Sequence, residues 1–188
     1  MLKLQGERIY LSVLERKDCK ELWESFEYDF KNPSEPLNIG HSVEKADDWF
    51  TEIQKLQGNK NVRLGIFLND GTVIGDVALQ DIDYQNRSCT IGLGLHKIEN
   101  RNKGYGTEAV RLMLDYGFNH LGIERISANT LEINSSARKS LEKLGFVLEG
   151  RERQAVYFGG KTYDRHNYAI LASEYMDGDK RVYCKPSE

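Results

Sequence analysis

The sequence predicts a mixed fold of the α+β (α/β) class, a mostly antiparallel twisted sheet of about seven strands flanked by about four helices. Three observations predict it. Segments with clean two-residue alternation, such as Val62, Leu64, Ile66 and Leu68, are interspersed with segments of helical spacing, such as Val43, Ala46, Trp49, Phe50 and Ile53. The turn Asn69-Asp70-Gly71 is short enough to join only antiparallel neighbours. The 188 residues, 39% of them hydrophobic, suit one domain with a sizeable core.

Taken in order, Ile9, Leu11 and Val13 alternate as a first strand, and 15–28 reads as a helix. Pro33, Pro36 and Gly40 make 31–40 a loop. A second helix follows with Ser42 as its cap and runs to about Gln57, and Trp23 and Trp49 are anchors for the two helices or line a substrate groove. Strands at 62–68, 72–81 and 88–95 form a meander. Thr107 caps a largely apolar helix, 125–130 is a strand, and Asn134 caps a helix through Leu144 that Gly145 ends. Sheet segments at 146–150, 154–158 and 166–171 close the chain, the last two flanking a Gly159-Gly160 turn.

The strand 88–95 carries an apolar row, Cys89, Ile91, Leu93 and Leu95, opposite an almost bare row of Thr90, Gly92 and Gly94. Glycines weaken a strand, and the usual compensation is a close approach to its backbone by a ligand or a tightly packed helix. The strand feeds Arg101-Asn102-Lys103-Gly104-Tyr105-Gly106-Thr107, where two glycines and two cations precede a helix N-terminus. That combination suits a phosphate, and a solvated basic loop is the plainer alternative. The spacing fits neither a P-loop, since Lys103 precedes Gly104, nor a dinucleotide fingerprint, since Ala109 stands at the third glycine.

The net charge of −3 gives no broad reason to bind nucleic acid, and no apolar stretch is long enough to cross a membrane. The first eight residues lack a signal-peptide core, so a cytoplasmic location is expected. Cys19, Cys89 and Cys184 are scattered and read as free thiols. His41, His96, His120 and His166 do not cluster with carboxylates at ligand spacing, so no metal is expected; His41 lies between the first two helices, where a substrate role is an option.

The order of motifs resembles the GNAT superfamily of acyl-CoA-dependent N-acetyltransferases, over roughly Gly6 to Tyr175. Arg101 to Gly106 matches the family's coenzyme motif, Q/R-x-x-G-x-G/A, and Asn134 with Glu142-Lys143-Leu144-Gly145-Phe146 matches its second motif. Glu149-Gly150 and Gln154-Ala155 with Tyr157, Gly160, Asp164 and Tyr168 are similar to the RimJ/RimL-like branch, which acetylates ribosomal-protein N-termini and has members acting on small amines. The resemblance implies a GNAT-like sheet splayed at the fourth and fifth strands, one acyl-CoA N-acyltransferase domain over 1–176 and a polar tail over 177–188.

It also implies acetyl-CoA as co-substrate, held by Leu93, Gly94 and Leu95, by Arg101, Asn102, Lys103, Gly104, Tyr105, Gly106 and Thr107, and by Asn134 and Lys143. Asn134 and Ser140 are the catalytic candidates. The acceptor is a small-molecule amine or a protein N-terminus, with no nucleic acid or membrane partner, and the protein is a monomer or homodimer. The chain departs from its relatives at Thr90, Ala137, Leu141 and Val156, where others carry acidic, serine, tyrosine and glutamate side chains. Two readings follow: the amine loses its proton through water held near Asp76, Glu152 or Tyr157, with Ser140 or solvent near the thiolate, or the protein is a weak or specialised enzyme. A catalytically silent acyl-CoA-binding sensor or partner protein is the alternative from another class.

Overall fold

The computed structural model describes residues 2–29 and 42–177. The expected loop at 31–40, His41, Cys184 and the tail from 178 lie outside the described residues. Eight strands form one sheet: β1 (Lys3–Gln5), β2 (Ile9–Ser12), β3 (Val62–Leu68), β4 (Val73–Asp83), β5 (Ser88–Leu95), β6 (Arg125–Leu131), β7 (Val147–Phe158) and β8 (Lys161–Leu171). Their order is β1-β2-β3-β4-β5-β6-β8-β7, antiparallel throughout except for the parallel pair β5–β6. The helices are α1 (Arg16–Glu24), α2 (Lys45–Leu56), α3 (Tyr105–Asn119), α4 (Ser135–Lys143) and α5 (Ala172–Asp177).

The mixed, mostly antiparallel architecture is as expected, with one more strand and one more helix. β1 is three residues long, too short for a periodic signal, and is defined by its pairing of Leu4 with Leu11. α5 is a single short helix after the last strand.

Several boundaries differ from expectation for identifiable reasons. α1 starts after Glu15, whose backbone N–H donates to the Asp18 carboxylate in a capping box, and it stops at Glu24 instead of Tyr28. There the Glu27 amide leaves the helical ladder and donates to the His96 carbonyl at 2.8 Å. Ser42 is not the cap of α2; Glu44 holds that place, with no side-chain cap bond. Thr107 is not the cap of α3 either, because Gly104, in the left-handed conformation at φ +85°, starts the helix three residues earlier. Asn134 does cap α4, its Oδ1 accepting from the Ala137 amide at 3.0 Å. The segments read separately at 146–150 and 154–158 are one strand, β7, bent by bulges at Leu148/Gly150 and Glu152/Val156, and β8 begins five residues before His166.

The sheet separates two apolar layers. α3 buries Ala109, Val110, Leu112, Met113, Leu114 and Phe118 in the main core with Leu64, Ile66, Val77 and Leu79. At about 25 cal/mol per Å² of apolar surface, each large side chain so buried contributes about 1.5–3 kcal/mol. Gly117 lets α3 lie close on the sheet, since a Cβ there would sit 3.0 Å from Ile126 Cδ1 and 3.1 Å from Leu79 Cδ1. The smaller layer, Leu14, Cys19, Leu22, Ile53, Phe67 and Val73, lies beneath α1 and α2.

Candidate active site

β5 and β6 pair only from Ser88–Arg125 to Thr90–Ser127. Beyond these residues the two strands part, which is the expected splay, moved to β5 and β6 by the additional β1. A cavity of about 500 Å³ fills the gap, between residues 91–95 of β5 and 128–130 of β6, with the first turns of α3 and α4 at its end. Leu93, expected on the packed face, is 37% exposed because its neighbourhood opens into this gap.

The glycine loop closes the cleft at the end of β5. The Arg101 guanidinium is turned back into the fold, donating to the Leu95 carbonyl at 3.2 and 3.3 Å and to the Glu27 carbonyl at 3.4 Å, and it pairs with Asp29 at 3.5 Å. Asn102, at φ +60°, accepts from Ser136 Oγ at 2.8 Å and ties the loop to α4. The first intrahelical bond of α3 runs from the Glu108 amide to the Gly104 carbonyl, so the amides of residues 105–107 precede the ladder at the positive end of the helix dipole. Gly106 packs on β5, where a Cβ would lie 3.0 Å from Leu93 Cδ2. Bare amides, two glycines and an open cleft fit a diphosphate joined to an extended arm.

Of the expected coenzyme residues, Leu93, Gly94, Leu95, Arg101, Asn102, Gly104, Gly106, Thr107 and Asn134 line this cleft, as does Ser140. Lys103, Tyr105 and Lys143 are not among its lining residues; Lys143 is exposed at the end of α4. Thr107 Oγ1 donates to Ser140 Oγ at 3.3 Å, which places both hydroxyls at the junction of α3 and α4. Leu141 and Ala137 line the same wall.

A second cavity, of about 630 Å³, shares Gly92, Leu93 and Gly94 with the cleft and is otherwise walled by α1, α2, β3 and β4. Its aromatic lining is Trp23, Phe26 and Trp49, with the two indoles 6.3 Å apart, and Asp48 and Glu52 of α2 also border it. Asp76 and His96 line it as well. His96 Nδ1 donates to the Leu22 carbonyl at 2.8 Å and Nε2 to Asp76 Oδ1 at 3.2 Å, while Arg63 donates to the other Asp76 oxygen. Both imidazole nitrogens face acceptors, the pattern an imidazolium satisfies. Burial pushes the Asp76 carboxyl up, but hydrogen bonding from His96 and the Arg63 charge outweigh burial and hold it below the usual carboxylate range.

The three groups suggested for holding a water thus separate. Asp76 borders the second cavity but is fully engaged. Glu152 pairs with Arg165 and Asn167, and Tyr157 is 74% exposed; neither lines the two cavities. Burial raises the Cys19 and Cys89 thiols to about 12, which makes them poor nucleophiles. Among the described residues no group of His, Cys, Asp and Glu is arranged to hold a metal ion, and no helix is long and apolar enough to cross a membrane. Sequence reasoning gave no role to His96, Arg63 or Arg8. Asp76 lies on β4 and His96, 20 residues on, just past the end of β5, and no spacing rule joins them.

The sheet's parallel pair parts beside a glycine loop at a helix N-terminus, and a second cavity lies against the same strand, a frame suited to a two-substrate transferase. The chain belongs to the GNAT acetyltransferase family, whose domain model matches residues 8–147, and it is an N-acetyltransferase. It is 29% identical over 183 residues to the Bacillus subtilis (strain 168) protein YdaF, provisionally named a ribosomal N-acetyltransferase, covering 93% of this chain and 97% of YdaF. Among solved structures it is similar to RimJ of Mycobacterium smegmatis in complex with CoA-disulfide, with a TM-score of 0.80 and 20% identity, covering 92% of this chain and 88% of that one. It is also similar to a chimera of the spermidine N-acetyltransferase SpeG from Vibrio cholerae and hSSAT, with a TM-score of 0.80 and 23% identity, covering 91% of this chain and 99% of that one.

Proposed function

We propose that this protein transfers the acetyl group of acetyl-CoA directly to a primary amine, in a ternary complex formed across β5. The observation that carries this reading is the shared wall: Gly92, Leu93 and Gly94 border both cavities, so a donor in one and an acceptor in the other meet at a single strand. Acetyl-CoA, when bound, supplies the thioester. The loop amides and the α3 N-terminus would receive its diphosphate, and the backbone of residues 93–95 would pair with its extended arm. A backbone N–H of the same strand is suited to polarise the carbonyl. The amine nitrogen forms its bond to the acetyl carbon as the carbon–sulfur bond breaks, and the proton lost by the amine balances the one gained by the thiolate. Ser140 and Asn134 are the candidates for handling these protons, and both line the cleft, Ser140 hydrogen-bonded to Thr107.

The acceptor cavity suits an amine, since Trp23 and Trp49 offer indole faces and the carboxylates of Asp48 and Glu52, paired with Lys45 and Lys55, border it together with Arg63. Both spermidine and a peptide N-terminus meet that description, and relatives of both kinds support the reading. The free, buried thiols of Cys19 and Cys89 suit a cytoplasmic setting. A thiol-release assay with acetyl-CoA, spermidine and peptides with N-terminal alanine or serine tests the proposal. Turnover on at least one amine is expected; binding of acetyl-CoA without turnover on any acceptor would leave a silent sensor instead. Trp49→Ala should raise the KM of that acceptor and leave the KM of acetyl-CoA in place.

A further inference from the structure

The turn between β1 and β2, at residues 6–8, is built around one carboxylate on a different element. Glu108 stands in the first turn of α3, and its side chain is nearly buried. The Arg8 backbone N–H donates to Glu108 Oε1 at 3.0 Å and Arg8 Nε donates to Oε2 at 3.0 Å. Arg8 Nη1 reaches further, to the Lys103 carbonyl in the glycine loop at 2.7 Å, and the guanidinium lies 5.5 Å from the Tyr105 ring centre. Gly6 completes the arrangement. A Cβ at that position would collide with Glu108 Oε1 and lie 2.9 Å from the Ile9 carbonyl, so only glycine admits the carboxylate there.

An acidic side chain in a first helical turn is favoured by the dipole, but it opposes any anion arriving at the same helix end. Resting on the coenzyme reading above, we propose that Arg8 is a positioning residue for the diphosphate end of the coenzyme. It neutralises and turns away Glu108, and its third bond sets the backbone of the glycine loop. Arg8 touches no reacting atom. Its effect is on donor affinity alone.

The experiment compares wild type, Arg8→Ala and the double variant Arg8→Ala/Glu108→Gln by calorimetry with CoA and by steady-state kinetics. Losing charge-assisted bonds of this kind should weaken CoA binding about tenfold in Arg8→Ala, with a matching rise in the KM of acetyl-CoA and no change in kcat or in the acceptor KM. The double variant should bind CoA more tightly than Arg8→Ala, because the exposed carboxylate is gone. S-acetylpantetheine, a donor without the diphosphate, should be used equally well by wild type and Arg8→Ala. If Arg8→Ala does not fold, Arg8→Lys takes its place, keeping charge beside Glu108 but not the fork to Lys103, with a smaller loss expected. Wild-type affinity in the arginine variant, an equal loss with acetylpantetheine, or no recovery in the double variant would overturn the proposal. Failure of the wild type to bind CoA would instead sink the coenzyme reading on which it rests.

Discussion

Replacing Gly104 by valine tests the glycine loop most directly. Gly104 holds φ +85°, a conformation that costs a non-glycine residue about 1–3 kcal/mol and a β-branched one the most. The new Cβ would sit 2.9 Å from Arg8 Nη2, a flexible group that is able to yield. A loss of about 2 kcal/mol lowers the Tm of a chain this size by about 4–8 °C, so the protein still folds. Coenzyme affinity should suffer separately, because strain at φ +85° and a displaced Arg8 shift the loop amides that must meet an anion; losing one charged hydrogen bond is worth about 1.5–3 kcal/mol, or about tenfold to a hundredfold in Kd. Calorimetric titration with CoA and thermal unfolding measure the two effects. Gly71→Val is the control. It has φ +93° in the β3–β4 turn, with no described atom within 4 Å of its Cβ, so it shares the strain but not the cleft. Gly71→Val should lose stability and keep its affinity. Equal CoA affinity in Gly104→Val and wild type would refute the assignment of the loop.

Asp76→Asn should cost about 3–5 kcal/mol, since it leaves the Arg63 charge and the His96 ring without their carboxylate partner in a buried site. The Asp76 carboxyl titrates below its ordinary value of 3.8 in the folded state, so its stabilisation is complete above that value and is lost as pH falls through the folded one. Denaturant unfolding of the wild type from pH 5 to pH 2 should show this acid-side decline, and a variant with the same slope would remove Asp76 as its source. In a Cys184→Ser background, Cys19 and Cys89 should resist Ellman's reagent in the native protein and react on unfolding; rapid native labelling would contradict their burial and their thiol values near 12.

Much of the fold was legible because local signals agree with the tertiary arrangement. The alternation over 62–68 appears as β3, Asn134 caps α4, and the paired glycines at 159–160 turn a hairpin with positive φ at both positions. Where expectation failed, a distant partner decided the outcome. Helix propensity alone would continue α1 to Tyr28, but the bond from Glu27 to His96 removes that last turn. Thr107 is a good cap by residue type, yet the left-handed Gly104 takes the position first, and Gly106 in the turn it opens packs on β5. The cleft could be read from contiguous motifs. Of the second cavity, Trp23, Trp49 and Asp76 were legible in the sequence, but Arg63 and His96 were not, because residues of β3, β4 and the segment just past β5 converge only in three dimensions.

The engagement of Asp76 bears on which amines this protein can use at neutral pH. A carboxylate already bound by Arg63 and His96 is a poor base for an arriving ammonium, and where bulk water takes the proton instead, the acceptor's own acidity governs how much nucleophile is present. At pH 7 roughly a seventh of an α-amine, with a pKa of about 7.8, is free base, against roughly one part in 2500 of an alkyl amine near 10.4. The second cavity would then rank acceptors by basicity before shape, and the rate on a strongly basic amine would climb about tenfold for each unit of pH.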